Sequence, residues 1–118
     1  MHNFRGLNVW KDAMEVAKQT YKLTKTFPSS EQYRLVSQIN KAAVSIPSNI
    51  AEGAGRGGNK EFVQFLCIAL GSCFELETQL ILANEFGYLK KNDLQVLQTR
   101  LTKLEKMINS LITTLRKQ

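Results

Sequence analysis

Histidine is almost absent from this chain: His2 is the only one among 118 residues. Its scarcity removes the usual general base, the Ser-His and Cys-His nucleophile pairs, and the Glu-x-x-His pairs that a di-iron bundle needs. The two cysteines, Cys67 and Cys73, form no Cys-x-x-Cys motif. Six residues apart, they fall on different helix faces and too far apart along the axis to bridge, so both are expected to be reduced and buried. With two prolines, 43% hydrophobic and 22% charged residues, the chain is neither collagen-like nor disordered. The most apolar window, residues 62–74, is shorter than the roughly 18 residues of a membrane span and is closed by Glu75 and Glu77. Residues 1–10 lack a signal-peptide core, and Lys11, Asp12 and Glu15 follow at once. A cytoplasmic, non-enzymatic protein with no metal, cofactor or membrane partner is therefore expected, as one domain over residues 1–118.

What the sequence has in plenty is helical periodicity. In residues 8–26, Trp10, Met14, Ala17 and Tyr21 recur at helical spacing, with Ala13 and Val16 widening the stripe. Phe27-Pro28 stops that helix, and Ser29 with Gln32 forms a capping box that starts a second helix near Ser30. Along it Leu35, Ile39, Ala42, Ile46 and Ile50 keep the period, and Pro47 predicts a kink, or two abutting helices, near Ser45. Gly53, Gly55, Gly57 and Gly58 predict a loop. It resembles a phosphate cradle only superficially, since no Gly-Lys-Ser/Thr ending and no preceding strand accompany it.

Asn59 is the expected cap of a third helix, with Phe62, Leu66, Ala69, Cys73, Leu76, Leu80 and Ala83 on its main stripe and Gly87 as its stop. Val63, Phe65, Ile68, Leu70 and Phe74 lie outside that stripe. A helix this apolar all round needs cover on more than one side, and a second subunit is the expected cover. Asn92 is the expected cap of the last helix, where Leu94, Leu97, Leu101, Leu104, Ile108, Leu111 and Leu115 form an unbroken series. Four such helices with short connections predict an all-α, antiparallel up-down-up-down four-helix bundle.

Charge is segregated by helix within a net +6. Lys11, Lys18, Lys22 and Lys25 align on one stripe of the first helix. The last carries Arg100, Lys103 and Lys106 on successive turns, with Lys90 and Lys91 at its start and Arg116 and Lys117 at its end. The third has Lys60 against Glu61, Glu75, Glu77 and Glu85; Glu75 and Glu77 could pair with lysines of a neighbouring helix, and solvated or interface salt bridges are the expected role. Lys11, Lys18, Lys22, Lys25, Lys90, Lys91, Arg100, Lys103 and Lys106 are the candidate nucleic-acid contacts, through phosphate rather than base sequence. A protein-docking scaffold whose charge serves solubility is the rival reading.

The segment from Gln38 to Gly53 (QINKAAVSIPSNIAEG), then Gly55-Arg56 and Lys60-Glu61-Phe62, resembles the bacterial four-helix-bundle family first noticed inside intervening sequences of 23S ribosomal RNA. Leu7-Asn8-Val9-Trp10-Lys11, Phe27-Pro28 and residues 69–80 (ALGSCFELETQL) extend the resemblance over nearly the whole chain. More distantly, it is similar to the accessory variability protein of diversity-generating retroelements, a basic pentamer that works with a reverse transcriptase and nucleic acid. The resemblance implies a homopentamer, with RNA, DNA or a reverse transcriptase or other protein as partner. Asn40 departs from the family where a basic residue is frequent, and Gly57-Gly58 precede Asn59 where a serine is common. Within the motif Ser45, Pro47, Asn49, Glu52, Gly53 and Arg56 are the candidate structural or interface residues. Asn49 and Glu52 share a face, and Arg56 can return to Glu52 as a charged partner.

Overall fold

Gly87, at φ +84°, is the only described residue with left-handed backbone, and it ends the third of four long helices as its position predicts. Its own N–H and that of Tyr88 turn back to the carbonyls of Asn84 and Ala83, at 3.0 and 2.9 Å, satisfying acceptors that a helix end leaves open. The structure, a computed structural model, describes residues 2–118. Helix α1 spans Asn8–Thr24, α2 Leu35–Ala54, α3 Asn59–Glu85 and α4 Lys91–Arg116, with short 3-10 turns at Phe4–Gly6 and Ser29–Glu31 and no strand among the described residues. The expected all-α four-helix architecture is what the chain forms, in a body of 46 × 24 × 20 Å.

Side-chain hydrogen bonds join neighbouring helices. Thr24 faces Asn40, Ser45 faces Ser72, Glu77 faces Gln98, and Asn59 faces Gln118. The α2–α3 seam is the closest of the four and α1–α4 the most open. One core of aliphatic side chains runs through all four helices, with Ile39, Ile46, Ile50, Leu66, Leu76, Leu80, Leu97, Leu101, Leu104 and Ile108 fully buried.

Several boundaries differ from expectation. The Ser29/Gln32 capping box does not form: Ser29–Glu31 is a 3-10 turn and α2 begins at Leu35 without a side-chain cap. Asn59 and Asn92 cap nothing, because Gly58 and Lys90 hold those positions, and the Asn59 amide instead donates to Gln118 at 2.9 Å. A single helix passes through Pro47 where two abutting helices were one expectation. Gly53 is not in the loop but inside α2, and there the absence of a side chain is required: a Cβ would stand 2.6 Å from the Cβ of Phe65.

The buried line of α1 is Val9, Ala13, Val16, Thr20 and Thr24, about one position away from the expected stripe. Trp10, Met14 and Ala17 are half-buried and Tyr21 is exposed. The threonines go inside because their hydroxyls are satisfied locally, that of Thr20 donating to the Val16 carbonyl at 2.8 Å and that of Thr24 to the Tyr21 carbonyl at 3.0 Å.

Candidate functional site

The cations of α1 lie opposite its buried line. Lys11, Lys18, Lys22 and Lys25 are all exposed, and the Nζ of Lys25 stands 4.9 Å from the centroid of the Tyr21 ring. Lys18 makes an exposed pair with Glu15 at 3.2 Å, the sort of contact that contributes little to stability.

Helix α4 runs beside this stripe. Arg100 donates to the Gln19 side chain at 3.0 Å, and Lys103 lies 3.9 Å from Asp12. By the register of those two contacts Lys106 is level with Lys11, and Lys90 and Lys91 with the Lys25 end. All nine expected contact residues are exposed, and Arg100 and Lys103 stand directly beside α1. Lys11 and Lys25, fourteen residues apart, span about 21 Å of helix, the rise of about six base pairs of duplex. The only acids of α1 are Asp12 and Glu15.

Where α4 passes the start of α1 the seam opens into a groove of about 1170 Å³. Leu7, Val9, Met107 and Leu111 give it apolar walls, Lys103 and Lys106 line it, and uncharged polar residues of both helices complete it. Among the described residues no three His, Cys, Asp or Glu side chains come together to hold a metal.

The candidate residues of the middle motif meet α3 instead. The Ser45 and Ser72 hydroxyls are 2.8 Å apart, and the Asn49 amide donates to both the carbonyl and the hydroxyl of Ser45, at 2.8 and 2.9 Å. Arg56 does return to Glu52, at 2.9 Å, and its guanidinium lies 4.9 Å from the Phe65 ring centroid. Gly53 packs against Phe65 and Phe62 of α3, and Pro47 is buried in the bundle.

A family model described as "23S rRNA-intervening sequence protein" matches residues 5–110, nearly the whole of the chain just described. The chain belongs to that family. Among solved structures it is similar to a protein of unknown function from the S23 ribosomal protein family of Bacteroides thetaiotaomicron VPI-5482. That likeness has a TM-score of 0.79 at 24% identity and covers 88% of this chain and 97% of that one. No curated protein matches.

In this member of the 23S rRNA-intervening sequence family Glu75 and Glu77 make no salt bridge among the described residues. Glu77 accepts from Gln98 of α4 at 3.3 Å, and Glu75 lies 3.5 Å from the Gln79 amide on its own helix. Beside Glu77, Glu105 carries a buried oxygen with no hydrogen-bond partner, and burial, then the charge of Glu77, raises its pKa. Cys73 is buried, but Cys67 is exposed, against the expectation for both.

The outward face of α3 carries Ile68 and Phe74, two of the apolar residues expected outside its main stripe. Ile68, Phe74 and Phe86 are each more than half exposed, and Ile81 and Leu82 more than a third. The over-apolar composition of residues 62–74 was the available signal, and the apolar stretch is longer than that window. Taken whole, α3 is long and apolar enough to cross a membrane, with a mean hydropathy of 1.6 over 18 residues, of which 39% are buried in the bundle.

Proposed function

We propose that the chain is a non-enzymatic, cytoplasmic, self-associating bundle protein, pentameric as the family resemblance implies, that binds structured RNA or DNA without reading base sequence. The observation that carries the reading is the single outward stripe of Lys11, Lys18, Lys22 and Lys25 set beside the α4 cations. A row of ammonium groups on a rigid helix neutralises phosphates and releases their counterions. Repetition around a ring multiplies the contacts, and with them both affinity and salt sensitivity. Nothing in the row offers a bidentate pattern for base edges, so shape and backbone are what it recognises. The apolar exterior of α3 supports the self-associating half of the reading.

The test is fluorescence anisotropy of a labelled structured RNA, with duplex DNA alongside, titrated at several salt concentrations. Affinity should fall log-linearly with salt, by about 0.9 log unit per log unit of salt for each duplex phosphate neutralised. A K18E/K22E/K25E variant should lose binding while keeping its helical circular dichroism. No binding at low salt overturns the nucleic-acid reading in favour of a ring that docks another protein.

A further inference from the structure

The α1–α2 and α3–α4 connections meet at one end of the bundle. The Tyr88 hydroxyl donates to Glu31 at 3.1 Å, and the Tyr88 ring centroid lies 5.8 Å from that of Phe27 and 6.1 Å from that of Phe86. Phe27 is buried and Tyr88 half-buried, so together they anchor this aromatic cluster to the core. Outside them stand two rings that the fold leaves in water: Phe86 is 58% exposed, and Tyr33, in the turn before α2, is 93% exposed. Three other rings carry one of the chain's own cations. Arg5 lies 4.6 Å from the Phe4 centroid, Lys25 4.9 Å from that of Tyr21 and Arg56 4.9 Å from that of Phe65. Among the described residues Tyr33 and Phe86 carry none.

Exposed cations flank the two bare rings. Arg34 follows Tyr33 directly, Lys90 and Lys91 open α4 just beyond Phe86, and Lys22 and Lys25 finish the α1 stripe. The acids of this end are Glu31, Glu85 and Asp93. Glu31 is occupied by Tyr88, Asp93 sits in the first turn of α4, where the helix dipole favours it, and of the three only Glu85 is exposed. A flat aromatic face beside free cations matches a nucleobase beside its phosphate. Inside a duplex each base face is covered by its neighbours, so an unpaired base is the one that has a face to offer. We infer that this end of the bundle takes up unpaired nucleotides, Tyr33 and Phe86 each stacking a base while Arg34, Lys90 and Lys91 neutralise the adjoining phosphates. The inference rests on the nucleic-acid binding proposed above and narrows its substrate class. The α1 stripe holds duplex backbone, and the bundle end holds the single strand that leaves it at a loop, junction or frayed terminus. Stacking accepts any base, so sequence is still not read.

Anisotropy of two kinds of labelled RNA tests it. One is a duplex with an unpaired tail of about eight nucleotides, placed at a 3′ or a 5′ end, and the other a blunt duplex with the same number of phosphates. Wild type should bind a tailed RNA at least about tenfold more tightly than the blunt one, since each stacked base contributes about fivefold or more. Y33L/F86L, which keeps apolar bulk and removes the aromatic faces, should abolish that preference while leaving blunt-duplex affinity and helical circular dichroism unchanged. Tyr33→Leu alone, at a position outside the core, should reduce the preference about fivefold, and Tyr33→Phe should preserve it, because the ring rather than the hydroxyl stacks. Equal wild-type affinity for blunt and tailed RNA, or a preference that survives in Y33L/F86L, overturns this inference and leaves phosphate binding by the α1 stripe standing. No binding to either RNA at low salt overturns the proposed function and this inference with it. A wild type that shows no tail preference but sediments with phosphatidylserine vesicles assigns the two rings to a membrane surface instead.

Discussion

Ser45 on α2 and Ser72 on α3 share one hydrogen bond, hydroxyl to hydroxyl at 2.8 Å, across the closest helix seam of the bundle. Ser72 is buried, so its hydroxyl has no water to fall back on. The Asn49 amide holds Ser45 from the other side. Removing Ser72 strands little, because Ser45 keeps Asn49; removing Ser45 leaves Ser72 buried and alone. Ser72→Ala should therefore cost about 1 kcal/mol and Ser45→Ala about 1–3 kcal/mol. In urea unfolding, the double variant should cost less than the sum of the two. Strict additivity would show that the hydroxyls do not depend on each other.

Gly53 sits where α2 comes nearest to α3. A methyl group there meets the Cβ of Phe65 at 2.6 Å and the Phe62 ring at 3.0 Å, and a Cβ cannot swing aside as a side-chain tip can. The substitution sets a gain in helix propensity against overpacking, and the contact distance makes overpacking the larger effect. Gly53→Ala should destabilise by about 1–3 kcal/mol. Gly57→Ala, in open space within the loop, is the control and should change stability by less than about 0.5 kcal/mol. Thermal melts of the two variants separate a packing requirement from a general need for flexible backbone.

Legibility in the sequence followed how directly a residue's chemistry fixes its place. Leucine has one role in a soluble helix, so most of the α4 series from Leu94 to Leu115 is buried, while Leu111 lies part-way out and Ile112 takes its turn inside. Gly87 was legible because a left-handed residue after a helix is a backbone necessity. The stripe of α1 was not, because size misled: Trp10 and Tyr21 are its large apolar residues, yet small Ala13 and self-satisfied Thr20 fill the narrow core-facing line. Asparagine caps failed for a related reason, since Asn59 had a second partner in Gln118 that no local pattern shows. At the candidate interface the lysine stripe of α1 followed from spacing alone. That α4 would stand beside it depended on tertiary contacts at Asp12 and Gln19.

Glu105 gives the bundle a pH dependence of known sign. One of its oxygens is buried without a partner, and Gln98 spends its amide on Glu77 instead. Burial, followed by the neighbouring Glu77 charge, raises its pKa above the ordinary 4.5. The folded chain then binds this proton more tightly than the unfolded one. Its contribution is fully favourable below the ordinary glutamate range and is lost as pH rises from about 4.5 through the raised folded value. Glu105→Gln keeps the side chain neutral, so its melting temperature should exceed that of wild type by a margin that widens over this window and then levels. A constant margin would assign the effect to something other than ionisation.

The two cysteines should behave as chemical opposites. Cys73 is buried, and desolvation, with a smaller push from Glu105, raises its thiol to about 12, so almost no thiolate exists at neutral pH. Cys67 is exposed on α3, one turn before Gly71. Titration of native protein with a chromogenic disulfide should therefore count one thiol, and the same titration in denaturant should count two. Fast reaction of Cys73 would mean that the bundle opens far more often than its packed core allows.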